Sequence, residues 1–190
     1  SSPLDQLEEW LKDAFAYQIM EPNAMVFSAA DKEGKPSSRV MLLKEIDQRG
    51  LIIYTNLESK KAQDLYENPY ASMTFYWKEL ERQATFSGKT IKLSRKRAAL
   101  YFQTRPKGSQ IGAWASKQSR FAESRDEIEK AYAEEKKKWQ GQTVAMPPFW
   151  GGFMLIPEEA LFWQGREMRL HDRFLYQKKK HVWSIRRVYP

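Results

Sequence analysis

The chain has 190 residues, 42% of them hydrophobic and 14% aromatic, with a formal net charge of +8. That size supports one well-packed domain and makes two cramped. There is no cysteine, which excludes disulfides, thiolate metal sites and a cysteine nucleophile and fits a cytosolic protein. No apolar run reaches the ~18 residues of a membrane helix, and the first residues lack the basic start and apolar block of a signal peptide. With only His171 and His181, a histidine-rich zinc site is not expected.

Residues 2–18 read as an amphipathic helix. Ser2 and Asp5 have capping-box spacing, Pro3 suits the first helical position, and Leu4, Leu7, Leu11, Ala14 and Phe15 form one stripe. From Ala24 the period becomes that of strands, over 24–30, 37–46 and 51–55, with glycine-bearing turns at 31–34 and 47–50. Ser59 is placed to cap a short helix that ends at Asn68-Pro69. A strand over 70–77 follows, its Phe75-Tyr76-Trp77 end read as buried, and then 82–93 as one or two strands broken at Gly88. Ser94 opens a helix over 95–104, stopped by Pro106. Residues 108–119 read as a short helix and loop. Ser124 and Glu127 form a second capping box, opening a charged helix to about Trp139 whose sparse apolar stripe places it on the surface. After a linker at 141–148, strands are expected over 150–156, 160–163, 173–177 and 182–188. Six to nine strands with a few helices predict a mainly β fold with helices, α+β in class, as a barrel with helical decoration in one domain over 1–190.

Several chemistries find no support. Gly88-Lys89-Thr90 ends like a phosphate loop, but Gln83 stands where its first glycine belongs. Neither a dinucleotide fingerprint nor a nucleophile-elbow motif occurs. His171 beside Asp172 is no catalytic triad, because sequence neighbours point apart. The Lys runs at 136–138 and 178–180 read as solvated surface. What remains is a set of phosphate-capable groups. Arg39 and Lys44 lie five apart, so an ideal strand would face them to opposite sides and the strand must twist, bulge or end near Lys44 for both to serve one ligand. Tyr101 and Arg105 fall on one helical face, and a reversal at Pro106 would bring Ser109 round. Core packing for Tyr101 and a surface ion pair for Arg105 are the plainer alternatives. The stretch 163–173 crowds three arginines, an aspartate and a histidine behind a tryptophan. On residues alone it is either a site for an anionic or aromatic ligand or a solvated turn with scattered ion pairs.

The spaced motifs resemble one family. They are Glu-Pro-Asn-Ala-Met at 21–25, Ser-Arg-Val-Met-Leu-Leu-Lys at 38–44, Tyr-Thr-Asn at 54–56, Ser-Lys-Lys-Ala at 59–62, Glu-Arg-Gln at 81–83 and Tyr-Phe-x-x-Arg-Pro at 101–106. Ser-Gln-Ile-Gly-Ala-Trp-Ala-Ser-Lys-Gln-Ser at 109–119, Trp-Gly-Gly at 150–152 and Phe-Trp-Gln-Gly-x-x-x-Arg-Leu-His-Asp-Arg at 162–173 complete the series. In this order and spacing the sequence resembles the pyridoxine (pyridoxamine) 5′-phosphate oxidase family.

The resemblance implies an FMN-binding split β-barrel and a homodimer with FMN at the subunit interface, residues 141–190 supplying dimerisation and active-site strands. It implies oxidation of pyridoxine or pyridoxamine 5′-phosphate to pyridoxal 5′-phosphate, with O2 as electron acceptor and H2O2 as product. No nucleic-acid, membrane or metal partner is implied. Matching FMN-contact positions are Arg39, Val40, Met41, Leu42, Leu43, Lys44, Tyr54, Thr55, Lys60, Lys61, Gln83, Gln118, Ser119, Trp163 and Arg173. Lys44, Tyr101, Arg105 and Ser109 match the groups that hold the substrate phosphate. Arg169 and His171 match residues beside the substrate ring and are the catalytic candidates. Arg166, Glu167 and Met168 match variable positions and are left out of the site.

Departures from the family pattern occur at 84–87, at Leu161, where a glutamate is usual, and in the final Arg-Val-Tyr-Pro. The resemblance also implies a basic, tyrosine-bearing arm ahead of the first helix, which this sequence does not include. The rival reading is a split-barrel flavin binder without oxidase activity. Retention of Tyr101, Arg105, Ser109, Arg169 and His171 argues against it, because a flavin binder needs no substrate set.

Overall fold

The computed structural model describes residues 2–180 and 182–190; Ser1 and His181, and any role of that second histidine, lie outside the described residues. Helix α1 spans Pro3–Ala16. Its capping box forms: Ser2 Oγ accepts from the Leu4 amide at 3.1 Å and Asp5 accepts from the Ser2 amide at 3.0 Å. The helix stops two residues short of the expected end, where Gln18 turns to a φ of 58°. Leu4, Leu7, Leu11 and Ala14 are buried, whereas Phe15 points to solvent.

The remaining elements are β1 (Ala24–Ala30), β2 (Pro36–Leu42), β3 (Glu45–Asp47), β4 (Gly50–Asn56), α2 (Lys60–Glu67), β5 (Tyr70–Trp77) and β6 (Arg82–Lys92). Then come α3 (Arg95–Thr104), α4 (Lys107–Ala115), α5 (Arg125–Lys138), β7 (Trp150–Gln164), β8 (Asp172–Lys179) and β9 (Val182–Arg187). All pairings among the described strands are antiparallel, in the order β2-β1-β5-β6-β7-β4-β3, with β8 and β9 joined through β7. Strand β7 divides the sheet. From Phe153 to Gln164 it pairs with β6, but its other edge is shared: Trp150–Asn56 to Leu155–Leu51 pair it with β4, and Glu159–Gln177 to Gln164–Asp172 pair it with β8. The sheet curls around this branch into a half-barrel. Among the described residues no helix is long and apolar enough to cross a membrane.

Three expected boundaries are corrected. The single strand expected over 37–46 is two. The Leu43 amide donates to Asn23 and the Lys44 amide to Ile52, so the chain leaves β1 and joins β4 within two residues. The strands expected over 150–156 and 160–163 are one, because β6 supports both halves. The register steps from Gly88–Pro157 to Ser87–Glu159, leaving Glu158 as the extra residue, and this bulge accommodates Pro157 inside a strand. Gly88 is required there, since a Cβ would lie 2.1 Å from the Ile156 carbonyl oxygen. Ser59 precedes α2, but its hydroxyl does not cap it; it donates instead to the Asn56 carbonyl at 2.7 Å.

Two main apolar cores result, beside a minor cluster of Ile52, Leu93 and Met154. The larger lies between α1 and the concave sheet, with Phe27, Met73, Phe75, Phe86, Leu155 and Phe162 at its centre. Trp10 seals the helix onto it, edge-on to Trp77 at 6.1 Å and to Phe162 at 5.0 Å. Of the Phe75-Tyr76-Trp77 run, Phe75 and Trp77 are buried while Tyr76 is exposed, as strand alternation dictates. The smaller core joins α3, α4 and β7 through Ala98, Phe102, Ile111, Val144 and Trp150, with Tyr132 and Trp139 of the α5 segment leaning on it. It forms the floor behind the principal cleft.

Candidate active site

The cleft opens between β2, β4, the start of α2, and the α3–α4 junction, with a volume of about 430 Å³. Arg39, Thr55, Lys61, Arg105, Ser109 and Gln118 supply its polar wall, and none of its lining residues is acidic. Lys61 is 6% exposed. Its ammonium donates to Thr55 Oγ1 at 3.0 Å, Gln118 Oε1 at 3.1 Å and Ser59 Oγ at 3.2 Å, all neutral. Burial first, and the neighbouring charge of Arg39 second, push Lys61 down to about 8. Arg39 is held from behind: Ser37 Oγ accepts from its guanidinium at 3.0 Å and donates to the buried Asp64 carboxylate at 2.7 Å. Burial alone would raise Asp64, but the hydrogen bonds of Lys60, at 2.8 Å, and Ser37 outweigh it and hold the carboxyl below its usual range.

The deeper end of the cleft is cationic too. Arg105 follows the last residue of α3 with extended backbone, φ −72° and ψ 148°, rather than sharing a helical face with Tyr101 as expected. Its guanidinium lies over the Trp150 ring, 5.1 Å from the centroid, and its NH1 is buried without a hydrogen-bond partner. Leaving such a group unpaired costs free energy unless an anion completes it. The Lys44 ammonium, just outside the lining of the cleft, has no hydrogen-bond or ion-pair partner among the described residues. Its pKa is lowered by burial and then by Arg105, so the two cations feel one another. Ser109 lies in the first turn of α4, after the reversal at Pro106, and lines the same cleft. Tyr101 stacks on Tyr54 with centroids 4.0 Å apart and planes within 5°. The end of β2 before Lys44 is the break that the spacing of Arg39 and Lys44 demanded.

Several expected positions behave differently. Val40 and Met41 line the cleft, but Leu43 is buried in the main core and Leu42 is not part of the wall. Simple alternation does not govern this edge, since the consecutive Arg39, Val40 and Met41 all line the cleft; Leu43 lies past the end of β2, where the chain crosses to β4. Lys60 and Ser119 meet at the rim through the Lys60 amide and the Ser119 hydroxyl, 3.2 Å apart, with Ser119 at a φ of 71°. Gln83, Trp163, Arg173 and His171 are absent from this cleft. They line a second hollow of about 240 Å³ together with Tyr76. Sheet register builds it: Tyr76 pairs with Gln83, Gln83 with Trp163, and Trp163 with Arg173, one transverse row over four strands. Tyr76 was missed in the sequence because its run was read as buried; its place between Phe75 and Trp77 carried the signal for the opposite face.

Around His171 the chain is tightly turned. Met168 and Arg169 take φ of 54° and 63°, consecutive left-handed residues at about 1–2 kcal/mol each. The Arg166 amide donates to His171 Nδ1 at 3.1 Å, and the Arg166 side chain donates to Asp172 at 2.7 Å. Arg166 therefore orders this turn, contrary to its exclusion on the sequence pattern. The accepting Nδ1 places the proton of a neutral imidazole on Nε2. The His171 ring lies 4.8 Å from Trp163. Arg187 also donates to Asp172, and Arg173 donates to the Tyr189 carbonyl at 2.9 Å. The Arg169 guanidinium has no hydrogen-bond or ion-pair partner among the described residues.

A divided antiparallel half-barrel with a cation-lined cleft beside its branch strand defines a split-barrel protein. Comparison with known proteins then gives the family. The profile described as "Pyridoxamine 5'-phosphate oxidase" matches residues 11–138, and that described as "Pyridoxine 5'-phosphate oxidase C-terminal dimerisation region" matches 150–190. A pyridoxine/pyridoxamine 5′-phosphate oxidase of Rubrobacter xylanophilus is 46% identical over 99% of this chain and 87% of its own, and one of Proteus mirabilis is 47% identical with the same coverage. Among solved structures, PhzG from Burkholderia lata, in complex with tetrahydrophenazine-1-carboxylic acid, superposes with a TM-score of 0.95. It is 30% identical, over 100% of this chain and 93% of its own. A pyridoxamine 5′-phosphate oxidase-related, FMN binding protein from Nostoc punctiforme shares the fold, with a TM-score of 0.79 at 14% identity over 100% of this chain and 99% of its own. The chain belongs to the pyridoxamine 5′-phosphate oxidase family.

Proposed function

We propose that the protein oxidises pyridoxine 5′-phosphate or pyridoxamine 5′-phosphate to pyridoxal 5′-phosphate, using FMN, with O2 as acceptor and H2O2 as product. The observation that carries this reading is the imbalance of the cleft. A buried lysine without a carboxylate partner and a buried guanidinium nitrogen without any partner call for anions at both ends. Two anionic groups in one cleft suit a phosphorylated cofactor beside a phosphorylated substrate. Arg39, Lys60, Lys61, Thr55, Gln118 and Ser119 would hold the cofactor end; Lys44, Tyr101, Arg105 and Ser109 would hold the substrate phosphate. Arginine forks match phosphate oxygens in pairs, and Arg105 has a nitrogen free to do so. When bound, FMN supplies the two-electron oxidising capacity that no protein side chain here possesses. The chain's own residues bind, orient and exclude water.

In this reading Trp163, Gln83 and Arg173 reach the flavin and His171 reaches the substrate ring from the second hollow, with Arg169 on the turn beside it. The two hollows share no lining residue within one chain. A homodimer that brings the second hollow of one protomer to the cleft of its partner accounts for this division. The match of 150–190 to a dimerisation region supports it, as do exposed apolar side chains at both places, Val40 at the cleft and Met168 and Leu170 beside His171.

The test is direct. Purified protein should carry flavin absorbance at one FMN per chain and consume O2 when given either phosphorylated vitamer, with aldehyde absorbance appearing in step. Flavin binding without turnover would favour the non-oxidase reading. Protein that takes up no flavin would refute both.

A further inference from the structure

We infer that Glu45 and Arg97 form a positioning clamp for the substrate-phosphate end of the cleft, acting through Tyr54 and Tyr101; the inference rests on the reading of that cleft given above. Neither Glu45 nor Arg97 lines the cleft. Both belong to a connected series of contacts that ends there.

The series starts on β3. Glu45 and Asp47 are two residues apart on a strand, so their carboxylates share a face. Arg97, in the first turn of α3, spans both: one guanidinium nitrogen donates to Glu45 Oε2 at 2.8 Å and the other to Asp47 Oδ2 at 2.9 Å. Only a planar fork holds two carboxylates at once in this way. The other Glu45 oxygen accepts from the Tyr54 hydroxyl at 2.5 Å. Burial, and then this carboxylate, hold the Tyr54 phenol far above its usual range, so it stays a donor. With the hydroxyl fixed, the ring is fixed. Tyr54 lies parallel to Tyr101 at 4.0 Å and to Trp150 at 5.4 Å, and Arg105 rests on Trp150. Two groups assigned to the substrate phosphate, Tyr101 and Arg105, are thus backed by rings whose common plane is set from β3.

The alternative is that the pairs simply tie β3 to α3. The side chains of Arg97, Glu45 and Asp47 are about a quarter to a third exposed, and such ion pairs add little to stability. A tying role therefore predicts a small loss of stability and unchanged kinetics. A clamp predicts a rise in KM at constant kcat, because substrate binding is loosened; since Tyr54 also matches an FMN-contact position, FMN affinity is followed beside it.

The experiment compares the FMN-loaded parent with Arg97→Ala, Arg97→Lys, Tyr54→Phe and Arg97→Ala/Tyr54→Phe. Arg97→Ala should raise KM for pyridoxine 5′-phosphate about five- to tenfold, the scale of one weakened phosphate contact, with kcat and FMN affinity within about twofold. Inorganic phosphate should compete less well by a similar factor. Arg97→Lys should restore only part of the loss. In the Tyr54→Phe background, removing Arg97 should add nothing, since the path has already been cut. Unchanged KM in Arg97→Ala, or additive losses in the double variant, would overturn the clamp while leaving the oxidase reading intact. A parent that neither turns over nor binds phosphate overturns both.

Discussion

The cleft around Lys61 and the turn around His171 are both rich in cations, but they are built in opposite ways. In the cleft the charges are sunk into the protein, packed against Trp150 and Tyr54, and supported by Asp64, Ser37, Thr55 and Gln118. Their proton equilibria are displaced by burial. At His171 the chain is exposed on several successive residues, from Arg166 to Leu170, and is shaped by two left-handed residues and by the Asp172 ion pairs. The first is a buried cationic surface built within a single chain. The second is an ordered but exposed turn. The difference teaches that, under the proposed function, the anion-holding groups belong to one protomer, whereas chemistry at the substrate ring would draw on a partner.

Variants can break or sharpen that contrast. The largest effect is expected from Arg105→Ala, which removes the unpaired fork: KM for the phosphorylated vitamers should rise about 100-fold or more, on the scale of two charge-assisted hydrogen bonds. Flavin content should stay constant; its loss would mean that the two ends of the cleft are not separate. Next, Arg169→Ala and His171→Ala should each lower turnover about 10- to 100-fold, the usual range for a positioned proton-transfer or orienting group, with FMN affinity little changed. Equal flavin loss in these variants and in Lys61→Ala would erase the distinction between the regions.

Lys61 gives a pH test with two opposite signs. Its folded pKa, about 8, lies below that of an unfolded lysine, so above pH 8 the unfolded chain binds more protons than the folded one. Stability of the ligand-free protein should therefore rise with pH from about 8 upward, as the burial penalty is relieved. FMN affinity should fall over the same interval, since the anion requires the ammonium. Lys61→Met should abolish both trends, weaken FMN about tenfold or more, and stabilise the ligand-free chain at neutral pH by up to about 3 kcal/mol. Chemical denaturation and flavin titration across pH read the two arms. The smallest effect is expected at Asp172→Asn, which loosens Arg166 and Arg187 on the surface. Its melting temperature should match the parent's while turnover drops a few-fold; a large stability loss would show that this turn is more than a local scaffold.

Much of this organisation was legible in the chain. Capping boxes, glycine turns and changes of period placed nearly every element, because those signals are local. The Arg39, Lys44, Tyr101, Arg105 and Ser109 group was legible as phosphate-capable, whereas Lys61 entered only through what the family resemblance implies. Leu43 and Tyr76 show where local reading failed. Tyr76 lies in a run that looks uniformly apolar, yet strand alternation sends it to the face opposite Phe75 and Trp77, and Leu43 lies past the end of β2, where the chain crosses to β4 and the side chain enters the main core. Arg166 was passed over for a similar reason: its contribution to His171 is made by a backbone amide, which no side-chain pattern reveals.

By itself, the sequence determined the element types, the family and the set of groups able to hold anions. Only the tertiary structure decided how those groups divide. The continuous β7, with its bulge at Glu158, carries β4 on one half and β8 on the other, and so separates the Trp163 row from the Lys61 cleft. Tertiary structure also decided which cations lose their solvent. Burial depends on what packs behind a residue, and for Lys61 and Arg105 that packing comes from segments up to sixty residues away in the chain, such as Gln118 for Lys61 and Trp150 for Arg105.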